Sequence, residues 1–460
     1  MNKHHYCHCS KILAVALSVS LLTGIMSCTP IAQSQYFLVA EDGIYASSPD
    51  RPNGAVRYEG MYDRTYFGYY TSASKVFIRY WDEDIKKLSE PVELWNGSWG
   101  QRIFEGSWAR YSGTPDDHCS PAVHVVEHGN NTGKILVACA EHGVRLETRL
   151  SVLPEDISAW EPALTVENEG ATYAKLVELS DGTIFLFYRI TISNSDDEGN
   201  HFHAQNYFRT SSDGGRAWSL PTVFTQFGWS EFDTREYTMV TSSNDEIHAI
   251  INVAWRADGE SGIMRHRNIY YAYTDDAGAT WEKRDGTPIQ LPISEDNADL
   301  VYTTSIDPDH RTHSWDIVLD DGEPHLLSCD RDIPTTACTV FHHYWSDGWQ
   351  TETVCITDRF GTYDYMAGAV FADCDANKVY ACVPVDGAIE LQMWEYTNCW
   401  EKTEDITAAS GGEGHDHFRT MAVRNGDGSL QVLWCYTEKY TYYMGPDAWE
   451  SCIFAYPGWE

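Results

Sequence analysis

Tyr173-Ala-Lys-Leu-Val-Glu-Leu-Ser-Asp-Gly-Thr-Ile-Phe-Leu-Phe-Tyr-Arg189 is the stretch whose reading decides the fold. Asp181-Gly182 is a strong turn signal between two apolar, β-prone runs, so the stretch predicts strand, tight turn, strand. With the turn centred on position 181, Tyr173 and Arg189 are equidistant from it and face each other at the open end. The sequence upstream repeats the layout: residues 118–126, a loop over 127–133 and residues 134–142 are centred on position 130, so His118 and His142 meet at a second open end.

Around these hairpins the predicted strands are short, turn signals recur every ten residues or so, and helical periodicity is almost absent, which is an all-β pattern. Two segments fit the Asp-box pattern Ser/Thr-x-Asp-x-Gly-x-x-Trp, Ser211 to Trp218 and Thr274 to Trp281. The box makes sense as a hairpin turn: Asp caps backbone donors, Gly takes a positive φ, and Trp packs between sheets. Eroded versions stand at 345–349 and 396–400. Counting first strands from Val56, His118, Tyr173, Tyr237, His313, Tyr363 and His417 predicts a seven-bladed β-propeller, with the excess length in loops at 193–203 and 288–309. Residues 36–46 are expected to return and complete the last blade. Runs such as Ile184 to Tyr188 and Ile247 to Ala254 are apolar throughout, as strands covered on both faces should be. In such a ring the start of each first strand and the end of each second strand share one rim. His118, His142, Tyr173 and Arg189 therefore converge on one canyon, joined by Tyr237 from the next blade.

The 460 residues carry 43% hydrophobic and 13% aromatic side chains, ample for a large core. A formal charge of -36 and a pI near 4.7 exclude nucleic acid as a partner, since phosphate binding needs a basic footprint. Residues 12–25 are apolar, preceded by Lys3 and Lys11, and end in Ile25-Met26-Ser27-Cys28. This reads as a lipoprotein export signal over 1–27 with Cys28 lipidated, and a single catalytic domain over 28–460. The expected location is the periplasm, outer membrane or cell surface of a bacterium, as a monomer touching membrane only through that anchor. Of 13 cysteines, Cys7, Cys9 and Cys28 belong to the signal, which leaves 10. Cys329 and Cys338 are the best candidate disulfide; a metal reading with His313 and His343 also stands. No cofactor and no catalytic metal are expected.

A Tyr, an Arg and two His facing a cleft suit β-elimination from a uronic acid. Removing the proton beside a carboxylate requires that charge to be offset, and Arg189 is the natural group. A guanidinium across the hairpin favours the ionised form of a phenol, so Tyr173 is expected to take the C5 proton and return one to the leaving oxygen. His118 and His142 would bind the carboxylate or share the proton work, and Tyr237 would position the sugar. Arg256, Arg265, His266 and Arg267 form a candidate basic lip, with Arg256 and His266 as substrate-binding groups. Taken singly, each has a plainer use: a core or stacking tyrosine, a surface ion pair, a histidine bracing the Asp116-Asp117-His118 turn, a solvated loop.

These residues resemble the propeller-type ulvan lyases among proteins with BNR-like repeats. The similarity lies in Asp-Asp-His118-Cys-Ser-Pro-Ala, Ala-Glu-His142-Gly, Thr-Tyr173 followed by Phe-Tyr-Arg189, Tyr237-Thr-Met-Val before Ile-His-Ala-Ile, and Tyr270-Tyr-Ala-Tyr with the second Asp box. It covers positions 110 to 285 well and the later blades only by general pattern. The resemblance implies cleavage of an algal polysaccharide of sulfated rhamnose and uronic acid. It places the histidine pair, catalytic tyrosine, neutralising arginine and second tyrosine on His118, His142, Tyr173, Arg189 and Tyr237. Cys119 and Ser120 depart from the amide residues that relatives carry there. Two alternatives use the same features: an Asp-box glycoside hydrolase acting on rhamnose-uronate linkages, for which an early Arg-Ile-Pro element is only faintly echoed by Phe77-Ile-Arg-Tyr, and a non-catalytic glycan-binding surface lipoprotein.

Overall fold

A computed structural model describes residues 36–45, 53–96, 115–140, 142–196, 199–228, 232–243, 245–257, 265–304, 310–332, 337–357, 368–372, 375–385, 388–407, 416–425, 428–440 and 449–458. The proposed signal, Cys28 and Tyr363 lie outside these residues. Among the described residues helix is confined to the 3-10 turns Asp117–Cys119 and Gly129–Asn131, and everything else that is regular is strand.

The strands form successive antiparallel groups in chain order. Ala122–Val125, Ile135–Ala140 and Val144–Leu150 make one; Leu164–Glu178, Ile184–Asp196 and Gly199–Ser211 the next; Phe232–Ser243, Glu246–Ala257 and Arg265–Thr274 the one after. His310–Asp320 to Trp349–Thr357 and Gly368–Ala372 to Trp400–Asp405 follow with four strands each. Leading strands of neighbouring groups lie side by side. The ring closes where Val56 bridges Arg424, with Arg57 N donating to Arg424 O at 2.8 Å. Phe37–Ala40 pairs with Trp449–Pro457, so the N-terminal strand completes the last group as expected.

Turn chemistry explains the register. Gly182 takes φ +85°, Thr183 N donates to Asp181 Oδ1 at 2.8 Å, and Lys175↔Phe187 to Glu178↔Ile184 pair about position 181. The upstream hairpin pairs Ala122↔Ala138 to Val125↔Ile135, about position 130. His313 likewise faces Cys329 about Asp321-Gly322. In the second Asp box, Thr280 N donates to Asp276 Oδ1 at 2.8 Å and Gly278 N to Thr274 Oγ1 at 3.0 Å. Trp281 is buried there, its ring 4.6 Å from Phe224 in a cluster with Phe185, Phe187 and Phe208. Burying each such ring contributes ~2–3 kcal/mol, and this anchors the group that carries Arg189.

Some expectations are corrected. Residues 193–203 are not a loop: the Ile184–Asp196 and Gly199–Ser211 strands stay in register out to Asp196↔Gly199. The backbone ladder carries this extension where a polar sequence offers no period-two burial signal. Residues 288–309 contain the short strands Pro288–Ile289 and Asp299–Tyr302. Leading strands begin upstream of their expected starts at Leu164, Phe232 and His310 rather than Tyr173, Tyr237 and His313, whereas His118 sits in a 3-10 turn and its strand begins downstream, at Ala122. Cys329 and Cys338 are joined in a disulfide, while His343 bonds Ser328 Oγ at 2.7 Å and Thr351 Oγ1 at 2.9 Å.

Candidate active site

Tyr173 reaches the site through a break in its own strand. Past Lys175 the register slips by one, so Arg189 pairs across the ladder with Thr172, and Tyr173 stands in the bulge at φ +58°. Such a backbone costs on the order of 1 kcal/mol, and it aims a ring that a regular strand would point elsewhere. The Arg189 guanidinium carbon lies 4.6 Å from the centre of the Tyr173 ring and 4.9 Å from that of Tyr237, between the two phenols. Arg189 is 2% exposed, and its Nε and Nη1 have no hydrogen-bond partner among the described residues.

On the other side of Tyr173 the His118 ring is 5.4 Å away. His118 and His142 stack face to face, 4.0 Å between centroids and 6° between planes. One carboxylate holds both: Asp116 Oδ1 meets His118 Nδ1 at 2.6 Å and Asp116 Oδ2 meets His142 Nδ1 at 2.8 Å. Asp116 also caps the 3-10 turn by accepting from His118 N, and Asp117 adds a 3.0 Å contact to His118 Nδ1. Asp117 is in turn paired at 2.7 Å with Arg419, both fully buried.

Burial and charge compete in this cluster. Burial disfavours the Asp116 carboxylate, but the charges of His142 and His118 outweigh it and hold the acid well below its ordinary range. Burial lowers and the two aspartates raise His118, with a net rise. For Tyr173 burial comes first and lifts the phenol well above its ordinary value; Arg189 pulls it down, as expected from the sequence, but does not win. Burial, then Arg189, pushes Lys175 well below the usual lysine range. Lys175 lies 5.6 Å from the Tyr173 ring.

The fold therefore brings His118, His142, Tyr173, Arg189 and Tyr237 together. His266 continues the row, its ring 4.9 Å from Tyr237. The side chain of Arg256 lies outside the described residues; Arg265 and Arg267 flank the Trp255 ring at 5.1 Å and 5.4 Å.

With this geometry in place, the comparisons with known proteins are decisive for the family. A model described as a BNR repeat-containing family member matches residues 64–356, more than half the chain. The chain belongs to the BNR repeat-containing family. An ulvan lyase of Nonlabens ulvanivorans is 25% identical to this BNR-family chain over 300 residues, 58% of the chain and 60% of the relative. An ulvan lyase of Alteromonas sp. (strain LOR) is 23% identical over 309 residues, 62% of the chain and 60% of the relative. The chain thus spans 60% of the length of these curated relatives. A PL25 ulvan lyase structure superposes with TM-score 0.69 at 15% identity over 92% of this chain and 95% of that one. A PL25 ulvan lyase bound to -[GlcA(1-4)Rha3S]- gives 0.70 at 15% identity over 92% and 96%. The BNR-family chain is an all-β propeller.

Sequence reasoning missed Asp116, Asp117 and Arg419 as parts of the site. Two acids directly before His118 were the available signal; Arg419 gave none, because only ring closure brings it near.

Proposed function

We propose that this BNR-family protein is a polysaccharide lyase that cleaves a uronate-containing, sulfated rhamnose-uronate glycan of the ulvan type by β-elimination, leaving a 4,5-unsaturated uronic acid end. The observation that carries the reading is Arg189, a buried cation packed against both the Tyr173 and Tyr237 rings, with two buried nitrogens that have no hydrogen-bond partner among the described residues. A uronate carboxylate set against it loses the charge that opposes removal of the neighbouring C5 proton. The ulvan lyase relatives and propeller neighbours support the same chemistry.

The protonation states divide the work. Tyr173, kept a phenol by burial, is set to give its proton to the departing oxygen. Both imidazoles commit Nδ1 to Asp116. Rings stacked at 4.0 Å repel if both are charged, so the pair retains capacity for the C5 proton. A second reading, in which Tyr173 acts as a phenolate and handles both transfers, is favoured by its contact with Arg189.

The further parts of the proposal are a seven-bladed ring over 28–460, a signal over 1–27 with Cys28 lipidated, and a monomer exported to the periplasm, outer membrane or cell surface. Loss of fatty-acid labelling in Cys28→Ser tests the anchor. The function is tested by incubation with ulvan and ultraviolet absorbance of the new conjugated double bond. New reducing ends without that absorbance would establish hydrolysis instead, and binding with neither would establish glycan capture.

A further inference from the structure

Beyond Tyr237 the site ends in a histidine whose tautomer can be derived. Asn252 is fully buried, and its Nδ2 faces three backbone carbonyls, Asn268 O at 2.9 Å, Thr312 O at 3.0 Å and Arg267 O at 3.4 Å. Carbonyls only accept, so the amide cannot be turned round, and Oδ1 is the atom that faces His266 Nδ1 at 2.9 Å. An oxygen acceptor on that side requires Nδ1 to carry the hydrogen. His266 is 1% exposed, and its Nε2 has no hydrogen-bond partner among the described residues.

We propose that Asn252 and His266 form a hydroxyl-reading subsite beside Tyr237, in which Asn252 holds the Nδ1–H tautomer and His266 Nε2 accepts a hydrogen bond from an unsubstituted sugar hydroxyl. The inference rests on the glycan reading above and narrows it. A bare nitrogen lone pair repels a sulfate or carboxylate oxygen and has nothing to donate to an ether, so the group it takes is a free hydroxyl. Burial, then His313 and the charges of Arg311, Arg235 and Arg189, hold His266 well below the ordinary imidazole range, which keeps the lone pair free at neutral pH. The ring's place, 4.9 Å from Tyr237, whose own ring lies 4.9 Å from the Arg189 guanidinium carbon, puts this hydroxyl next to the sugar whose carboxylate meets Arg189.

The test begins with multiple-bond proton–nitrogen NMR on histidine-labelled protein, His266 being assigned by its loss in His266→Gln. The expected result is a pyridine-like Nε2 and a protonated Nδ1 between pH 6 and 8. The reverse tautomer, or an imidazolium at pH 7, overturns the proposal. Binding of ulvan oligosaccharides is then measured in the inactive Tyr173→Phe background. His266→Leu should weaken it about tenfold, and His266→Gln, whose Oε1 can accept, should recover part of the loss. Unchanged binding in a natively folded His266→Leu protein also overturns it. If the wild-type chain yields no unsaturated product from ulvan, the lyase reading falls alone; the tautomer and binding of a panel of free and O-methylated oligosaccharides still decide the subsite.

Discussion

His118 and His142 stack 4.0 Å apart with a single carboxylate, Asp116, bonded to the Nδ1 of each. The pair is one titrating unit, because any proton taken by one ring is felt by the other and by the shared acid. Asp116→Asn removes the charge that raises His118, so the unit should take up a proton only at lower pH. Elimination should fall by about 100-fold or more. The sign for stability follows from the directions. Asp116 is depressed, so it stabilises the fold above the unfolded carboxyl range and that contribution fades on acidification; His118 is raised, so its share is full below pH ~6.5 and fades as pH rises through the folded value. Breaking a buried pair costs about 3–5 kcal/mol, to be read by urea melts at pH 7; an unchanged midpoint would contradict the coupling.

Tyr173→Phe deletes one hydroxyl from a ring that stays packed against Arg189 and Tyr237. The folded protein should melt as the wild type does, and the absorbance of the unsaturated product should vanish. The pH profile of kcat/KM separates the two roles open to the phenol. As a proton donor it gives a plateau above neutrality, whereas a phenolate base gives activity that climbs toward the ordinary tyrosine range.

Both turn centres, 181 and 130, were legible because Asp-Gly and a polar loop each sit midway between apolar runs, and the pairing found is symmetric about both. What was not legible is the one-residue slip that places Thr172 opposite Arg189, since Tyr173 adopts a positive φ with no glycine to announce it. The pairing with Arg189 survived the slip, because a guanidinium reaches a neighbouring ring as readily as a directly opposed one. The balance of burial and charge on Tyr173 was not legible for a different reason. Pair charges can be guessed from sequence, while the depth of burial, which here outweighs Arg189, cannot. Asp117 with Arg419 depends on packing between distant parts of the ring, and no local spacing encodes it. Asn252 and His266 lie on neighbouring strands of one group and meet beside a register shift that the sequence does not announce.

Arg189→Met tests whether the buried cation serves function rather than the fold. Its Nε and Nη1 have no partner among the described residues, so burying them costs stability in the empty protein. The methionine variant should lose elimination by about 1000-fold while its melting temperature holds or rises. Arg189→Lys should not rescue activity, because one ammonium cannot present the guanidinium fork. A large drop in melting temperature would mean that the cation is structural.

Glu236, next to Tyr237, offers a prediction about pH alone. Burial pushes its carboxyl up to about 7, against opposing contacts from Thr225 Oγ1 and Phe227 N, with a smaller pull from Arg189. A raised acid stays protonated in the folded chain where the unfolded chain has already released its proton. Stability should therefore decline as pH rises from the ordinary glutamate range to about 7, and level off above it. The decline is up to about 3 kcal/mol for a shift of this size. Glu236→Gln cannot titrate, so urea midpoints of the variant, measured from pH 5 to 8, should lose that slope and exceed the wild type at pH 8. A wild-type slope that survives the substitution would assign the titration to another group.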